Sequence, residues 1–200
     1  MFTGIIKAVA PVKNAEKHGQ GLFLYVAKPK SWKIKLGDSI AVDGACLTVI
    51  KVDNSYELST GGWIKFELAP ETLSKTTFGI KVPKVVNLES ALVFGEKLDG
   101  HLVTGHVDVV GKIIKQVMSG ESTRVIEIQF PKQFRNLIAP KGSVTVDGVS
   151  LTVVDAKRES FTVSLVSYTI KHTTFEKKMV GDLVNLEFDI LAKYVEAQNE

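Results

Sequence analysis

Residues 39–50 (SIAVDGACLTVI) are repeated at residues 143–154 (SVTVDGVSLTVV). A duplication constrains a fold more than any other sequence feature, because one architecture must then be built twice. Further blocks recur in the same order. Thr3, Gly4, Ile5 and Ile6 are matched by Thr104, Gly105, His106 and Val107; residues 72–78 (TLSKTTF) by 169–175 (TIKHTTF); and residues 86–89 (VNLE) by 184–187, all at offsets of about a hundred. The 200 residues therefore divide into two halves, each large enough to bury a core. The expected bounds are 1–98 and 99–189, with a helical tail at 190–200. No Pro- or Ser-rich linker separates the halves near Leu98 and His101, so they are expected to pack closely.

Asp43-Gly44 and Asp147-Gly148 sit between β-rich runs and read as hairpin turns, since Gly accepts positive φ without a Cβ clash. A strand should follow each. Alternation then puts Cys46 and Thr48 on one face and Leu47 and Val49 on the other, with Ser150 and Thr152 placed likewise in the second copy. Other short runs rich in Val, Ile, Thr and Phe, at residues 21–27, 125–130 and 160–166, also read as strands. About six short strands in under a hundred residues predict an all-β chain of two small closed barrels, a form that leaves no exposed sheet edge. Residues 31–35 and 132–138 are expected as short helices capping the barrel ends. In the tail, Ile190, Leu191, Tyr194 and Val195 fall on one helical face that needs a partner surface, from the chain itself or a sister subunit. Residues 59–63 (STGGW) predict a longer hairpin loop in the first half only.

The composition excludes several classes. Apolar and charged fractions of 44% and 24% are those of an ordinary globular protein. The net charge of +3 is a mild excess, and the one dense basic run, residues 28–35 (KPKSWKIK), is interrupted by Pro, Ser and Trp; it reads as a solvated loop, not a nucleic-acid track. A single Cys forms no internal disulfide and offers no metal-ligand spacing, which points to a reducing, cytoplasmic setting. The amino-terminal residues lack the pattern of a secretory signal, and no apolar run reaches the roughly 20 residues of a membrane helix. Phosphate loops, dinucleotide fingerprints, zinc spacings and nucleophile elbows are missing, so no standard cofactor motif supports the chemistry.

Where the halves differ, chemistry is expected. His106 stands opposite Ile5, Ser150 opposite Cys46, and Asp189 opposite Ala91. An imidazole carries protons near neutral pH, and a carboxylate orients it or holds a polar ligand. Each also has a structural alternative: a satisfied structural histidine for His106, a helix N-cap for Asp189, and a small buried hydrophobe for Cys46. His101, Lys141, Thr72 and Thr169 are further polar candidates.

Seven segments in order, MFTGII, DGACLTV, APETLSKTTFG, VNLES, GHLVTGHVD, DGVSLTV and VGDLVNLEFD, together resemble the riboflavin synthase family of the α-chain type across essentially the whole chain. The resemblance implies tandem six-stranded Greek-key barrels and a carboxy-terminal helix through which the protein forms a homotrimer. It implies conversion of two molecules of 6,7-dimethyl-8-ribityllumazine into riboflavin and 5-amino-6-ribitylaminouracil, without cofactor or metal. The active site would lie between the amino-terminal barrel of one subunit and the carboxy-terminal barrel of its neighbour.

Carried over by position, one pocket would be lined by Cys46, Leu47, Thr48, Glu67, Leu68, Ala69, Pro70, Glu71 and Thr72, with Gly105, His106, Val107 and Lys141. The other would use Gly4, Ile5, Ile6, Ser150, Leu151, Thr152, Ser164, Leu165, Val166, Ser167, Tyr168 and Thr169, and Phe2 would close over the site. Where the family commonly has Gly-Gly-His and a second Pro-Glu-Thr, this chain has Asp99-Gly100-His101 and Ser167-Tyr168-Thr169, the latter removing a carboxylate.

In the implied reaction the acidic C7 methyl of the lumazine needs a base, a role assigned to His106 with Thr152 polarising the same region. Cys46 or Ser150 would add to C7 of the second lumazine or position a water that does. Asp189, Lys141 and His101 would reach polar atoms of the substrate. A non-catalytic lumazine- or flavin-binding antenna on the same barrels is the main alternative, and a single-strand nucleic-acid barrel is disfavoured by scattered aromatics. Association with lumazine synthase is left open by the sequence.

Overall fold

Along strand β4 (Ala45–Asp53) Ala45, Leu47 and Val49 are buried while Cys46 is partly exposed and Thr48 exposed, the alternation that a half-buried strand requires. The same pattern recurs in β10 (Val149–Ala156), where Leu151 and Val153 face in and Thr152 faces out. The structure, a computed structural model, describes residues 1–54, 62–120 and 122–198.

In the first half β1 (Ala8–His18), β2 (Gly21–Ala27), β3 (Ser39–Val42), β4, β5 (Trp63–Leu68) and β6 (Val85–Ser90) close into an antiparallel barrel in the order β1-β2-β5-β4-β3-β6. The second half repeats it with β7 (Val109–Ser119), β8 (Thr123–Gln129), β9 (Ser143–Val146), β10, β11 (Ser160–Val166) and β12 (Leu183–Phe188). Each barrel is a Greek key with its own core. Leu24, Ile64, Phe66 and Leu88 fill the first and Ile113, Ile126, Phe161 and Leu186 the second, all at most 1% exposed. Register shifts recur at matched places, after Val12 and Ile113 and after Val49 and Val153. An extra residue in one strand bends it, which helps so few strands to close.

The two Asp-Gly hairpins have the positive φ values predicted for them: 44° and 82° at Asp43 and Gly44, 47° and 79° at Asp147 and Gly148. The turns meet at the seam between the barrels. A Cβ on Gly44 would lie 2.8 Å from the Gly148 backbone nitrogen, so the approach depends on both residues being glycine. Around them the Asn residues of the repeated VNLE blocks cross over. Asn87 Nδ2 donates to the Asp147 carbonyl at 2.9 Å and Asn185 Nδ2 to the Asp43 carbonyl at 2.8 Å. Their Oδ1 atoms accept from Thr174 N and Thr77 N, both at 2.8 Å. Two buried amides thus tie each barrel to the other's turn and to its TTF segment.

Residues 132–138 form the expected cap, a 3-10 helix at Lys132–Leu137 whose Phe134 and Leu137 pack on the second core. Residues 31–35 do not form the helix expected there. Trp32 and Ile34 point inward while Lys33 and Lys35 are exposed, an alternation that needs extended chain. Two short helices went unpredicted, α1 (Pro70–Lys75) and α2 (Ser167–His172), each after the third strand of its barrel meander. At six residues neither is long enough to display a 3.6-residue period, although Pro70 at the first turn of α1 is a start signal. The loop expected at 59–63 lies, apart from Gly62 and Trp63, outside the described residues. The tail forms α3 (Ile190–Ala197), with Leu191, Tyr194 and Val195 more than 60% exposed. Among the described residues no helix is long and apolar enough to cross a membrane.

Candidate functional site

The residues before each barrel form a strap laid across the opposite barrel. Phe2 and Val103 pair antiparallel, N–H to carbonyl at 2.7 and 3.1 Å, so both straps leave one short bridge in opposite directions. The first strap then sets the Gly4 carbonyl against Ser150 N at 2.8 Å, and the second sets the Gly105 carbonyl against Cys46 N, also at 2.8 Å. Both glycines have positive φ, 76° and 80°. A Cβ at either would lie 2.5 Å from the Cβ of Ser150 or Cys46, which no other residue could accommodate.

Each strap is anchored by the Glu of its own VNLE block. Glu89 accepts from Thr3 N and Oγ1 at 2.7 Å and from Gly4 N at 3.0 Å. Glu187 accepts from Thr104 N and Oγ1 at 2.7 Å and from Gly105 N at 3.0 Å. Burial pushes the Glu89 carboxyl up, against the opposing pull of those donors. The sequence counted these Glu residues only as matches between repeats, and their recurrence with Thr-Gly was the signal that could have found them.

On the first barrel a cavity of about 610 Å³ is lined by Cys46, Leu47 and Thr48 from β4, by Glu67 and Leu68 from the end of β5, and by Ala69, Pro70 and Thr72 at the start of α1. Its volume suits a ligand of a few hundred daltons. Eight of the nine barrel residues expected in this pocket come together in its lining, while Glu71 is exposed beside it. Gly105 brings the strap onto Cys46, Val107 packs on the first core, and His106 between them is exposed with its side chain free of hydrogen bonds to the described residues. Lys141 is not brought to this cavity within the chain. It stands on the second barrel at φ 70°, its N–H on the Val153 carbonyl at 2.8 Å. Phe2 is fully buried, packed with Ala41 and Val103 and with Cys46 against them.

The matched surface of the second barrel is built by Ser150, Leu151 and Thr152 on β10, by Ser164, Leu165 and Val166 on β11, and by Ser167, Tyr168 and Thr169 opening α2. Leu165 is buried, whereas Ser164, Val166, Ser167 and Tyr168 are exposed, with Tyr168 stacked on His172 at 4.0 Å. Ile6 from the first strap packs on the second core and Ile5 beside it is partly buried.

One pairing of candidate side chains could not be read from sequence. His101 Nδ1 lies 2.7 Å from Ser150 Oγ, and its Nε2 lies 3.2 Å from Thr145 Oγ1. Burial pushes the imidazole below its ordinary value, while the Asp189 and Glu187 carboxylates pull it back up. A neutral ring with its proton on Nε2 accepts the hydroxyl proton of Ser150 at Nδ1, which is the arrangement of an activated nucleophile. Gly100 makes the approach possible, since a Cβ there would overlap the Thr3 carbonyl oxygen and crowd Ser150, 3.0 Å from its Cβ. Asp189 caps α3, its Oδ1 accepting from Leu191 N at 3.0 Å, so the helix-cap alternative holds and its charge acts on His101 from there.

The Lumazine binding domain family matches this chain twice, at residues 3–91 and 104–189. A riboflavin synthase from Photobacterium phosphoreum is 41% identical over 98% of this chain and 88% of its own length. One from Actinobacillus pleuropneumoniae is 39% identical with the same coverage, and one from Schizosaccharomyces pombe is 37% identical over 98% of this chain and 92% of its own. Among solved structures, LumP complexed with 6,7-dimethyl-8-(1'-D-ribityl) lumazine superposes with a TM-score of 0.80 at 21% identity, covering 94% of this chain and 99% of that one. LumP complexed with riboflavin gives 0.82 at 22% identity.

Proposed function

The chain belongs to the riboflavin synthase family, and on that premise we propose how it converts two molecules of 6,7-dimethyl-8-ribityllumazine into riboflavin and 5-amino-6-ribitylaminouracil. The observation that carries the reading is that both barrels keep a polar pair on the matched strand, Cys46 with Thr48 and Ser150 with Thr152, each beneath a strap from the other half. One reaction on two copies of one substrate needs two surfaces alike in binding and unlike in chemistry.

Each barrel holds one lumazine, its uracil-like edge on backbone groups of β4 or β10. Placing the rings face to face turns a bimolecular encounter into one within a complex, worth several kcal/mol of barrier. His106, exposed beside Cys46, takes a proton from the C7 methyl of one ring. Ser150, its hydroxyl on His101, adds to C7 of the other or directs a water to it, and this contact favours Ser150 over Cys46 for that role. The four-carbon unit then passes between rings without a cofactor. The outward face of α3 supports a homotrimer, in which Lys141 of a neighbouring subunit completes the pocket at Cys46. The lone thiol supports a cytoplasmic setting.

The LumP likeness concerns the fold, and an antenna protein would tolerate loss of polar groups from one barrel; both sets remain here. Incubating the purified protein with 6,7-dimethyl-8-ribityllumazine separates the readings. Riboflavin formation is expected, whereas tight binding without turnover would convert the assignment to an antenna.

A further inference from the structure

The two straps are alike in backbone and unlike in one side-chain anchor. In both, the residue that enters the first strand of the barrel donates its N–H to the Leu of VNLE: Lys7 to Leu88 at 2.9 Å and Asp108 to Leu186 at 2.8 Å. Lys7 is exposed and, among the described residues, its ammonium makes no hydrogen bond or ion pair, acting on Glu89 only through its charge. Asp108 Oδ2 accepts from Phe188 N at 2.8 Å, and its Oδ1 meets Lys193 Nζ of α3 at 2.7 Å, both side chains less than a quarter exposed. The first strap therefore shows that the backbone arrangement forms without the clamp. The clamp exists only on the strap that carries His106, and it joins that strap to the carboxy-terminal helix.

That helix is lightly held. It has eight residues, capped by Asp189 and tied to the 3-10 cap by Asn136 Nδ2 on Glu196 Oε1 at 2.6 Å; Ile190 is half-buried, while Leu191, Tyr194 and Val195 are exposed. A helix of this length is marginal alone, so its order depends on what it docks against. We propose that Asp108 and Lys193 are positioning residues that couple the docked state of α3 to the strap over Cys46, fixing His106 for proton transfer only when the helix is in place. The inference rests on the riboflavin synthase reading for its effect on turnover, but the coupling itself is a property of the strap. A strap free to shift by about 1 Å loses geometry and not affinity, so the loss falls on kcat.

The variants are Lys193→Met, which keeps the stem and removes the charge, Asp108→Asn, which still accepts from Phe188 N, their double, and Lys193→Arg. Hydrogen exchange on the full chain should show faster exchange at Gly105 in Lys193→Met, with β10 amides unchanged as proof of an intact fold. Unchanged exchange at Gly105 would overturn the coupling whatever the activity. With the lumazine as substrate, each single variant should lose about tenfold in kcat with KM within about threefold. The double should be no worse than either single, and Lys193→Arg should restore most of the rate. Multiplying losses in the double, or a kcat unchanged in Lys193→Met, would remove the pair from the mechanism. If wild type itself fails to turn over, the activity reading falls while the exchange result still decides the coupling.

Discussion

Ser150 and Cys46 occupy matched positions, yet among the described residues only the Ser150 side chain is hydrogen-bonded to an imidazole, at 2.7 Å. Ser150→Ala and His101→Gln should each slow riboflavin formation by about a hundredfold, since each removes one half of an activated hydroxyl, and the double variant should be no slower than the singles. Cys46→Ala should cost much less, and steady-state rates on purified variants decide the ranking. His106→Ala should slow turnover by about tenfold or more while leaving the assembly intact, and an unchanged rate would take His106 out of the reaction. At this scale the sequence could name the side chains and not their partners. Thr48 and Thr152 were legible because a strand alternates. The contact of His101 with Ser150 was not, because it spans 49 positions and joins an irregular segment to a strand.

The strand is the element that sequence describes best, because period-two alternation is carried by every residue along β4 and β10. The straps are the element it describes worst: they are irregular, and their hydrogen bonds run to Glu89 and Glu187, 82 to 86 residues away. Glu89→Ala would leave Thr3 N, Thr3 Oγ1 and Gly4 N without their acceptor at a buried site, so it should destabilise the fold by about 3 kcal/mol, read from urea unfolding. Gly105→Ala acts on the same element by another route. Its methyl would meet Cys46 Cβ at 2.5 Å and Phe2 Cε2 at 3.0 Å in a backbone conformation with φ 80°, so the strap must lift from Cys46. A loss of about 2 kcal/mol in stability, together with weaker lumazine binding measured by fluorescence titration, is expected.

For the whole molecule, the duplication made two barrels legible, while the seam between them needed both barrels in place. Asp43 and Asp147 were readable as turn residues, but only the crossing of Asn87 and Asn185 buries them, at 3% and 1% exposure. The seam is two-fold in its amides and one-sided in its charge. Lys178, which follows Phe175 in a segment one residue longer than its counterpart after Phe78, reaches Asp147 at 2.7 Å. Asp43 is left with the weaker share of that cation. Burial, and then repulsion from Asp147, holds its carboxyl well above its ordinary 3.8, against the pull of Lys178 and Asn87 N. Between pH 3.8 and that raised value the folded chain therefore holds a proton on Asp43 that the unfolded chain releases. Its contribution to stability is complete below pH 3.8 and declines as pH rises through the elevated folded value. Asp43→Asn keeps an oxygen for Asn87 N and abolishes the ionisation, so its stability relative to wild type should rise with pH. Urea midpoints of both proteins at about pH 4 and pH 8 measure this: the difference should move in favour of Asp43→Asn at the higher pH, and a constant difference would mean that Asp43 titrates alike in the folded and unfolded chain.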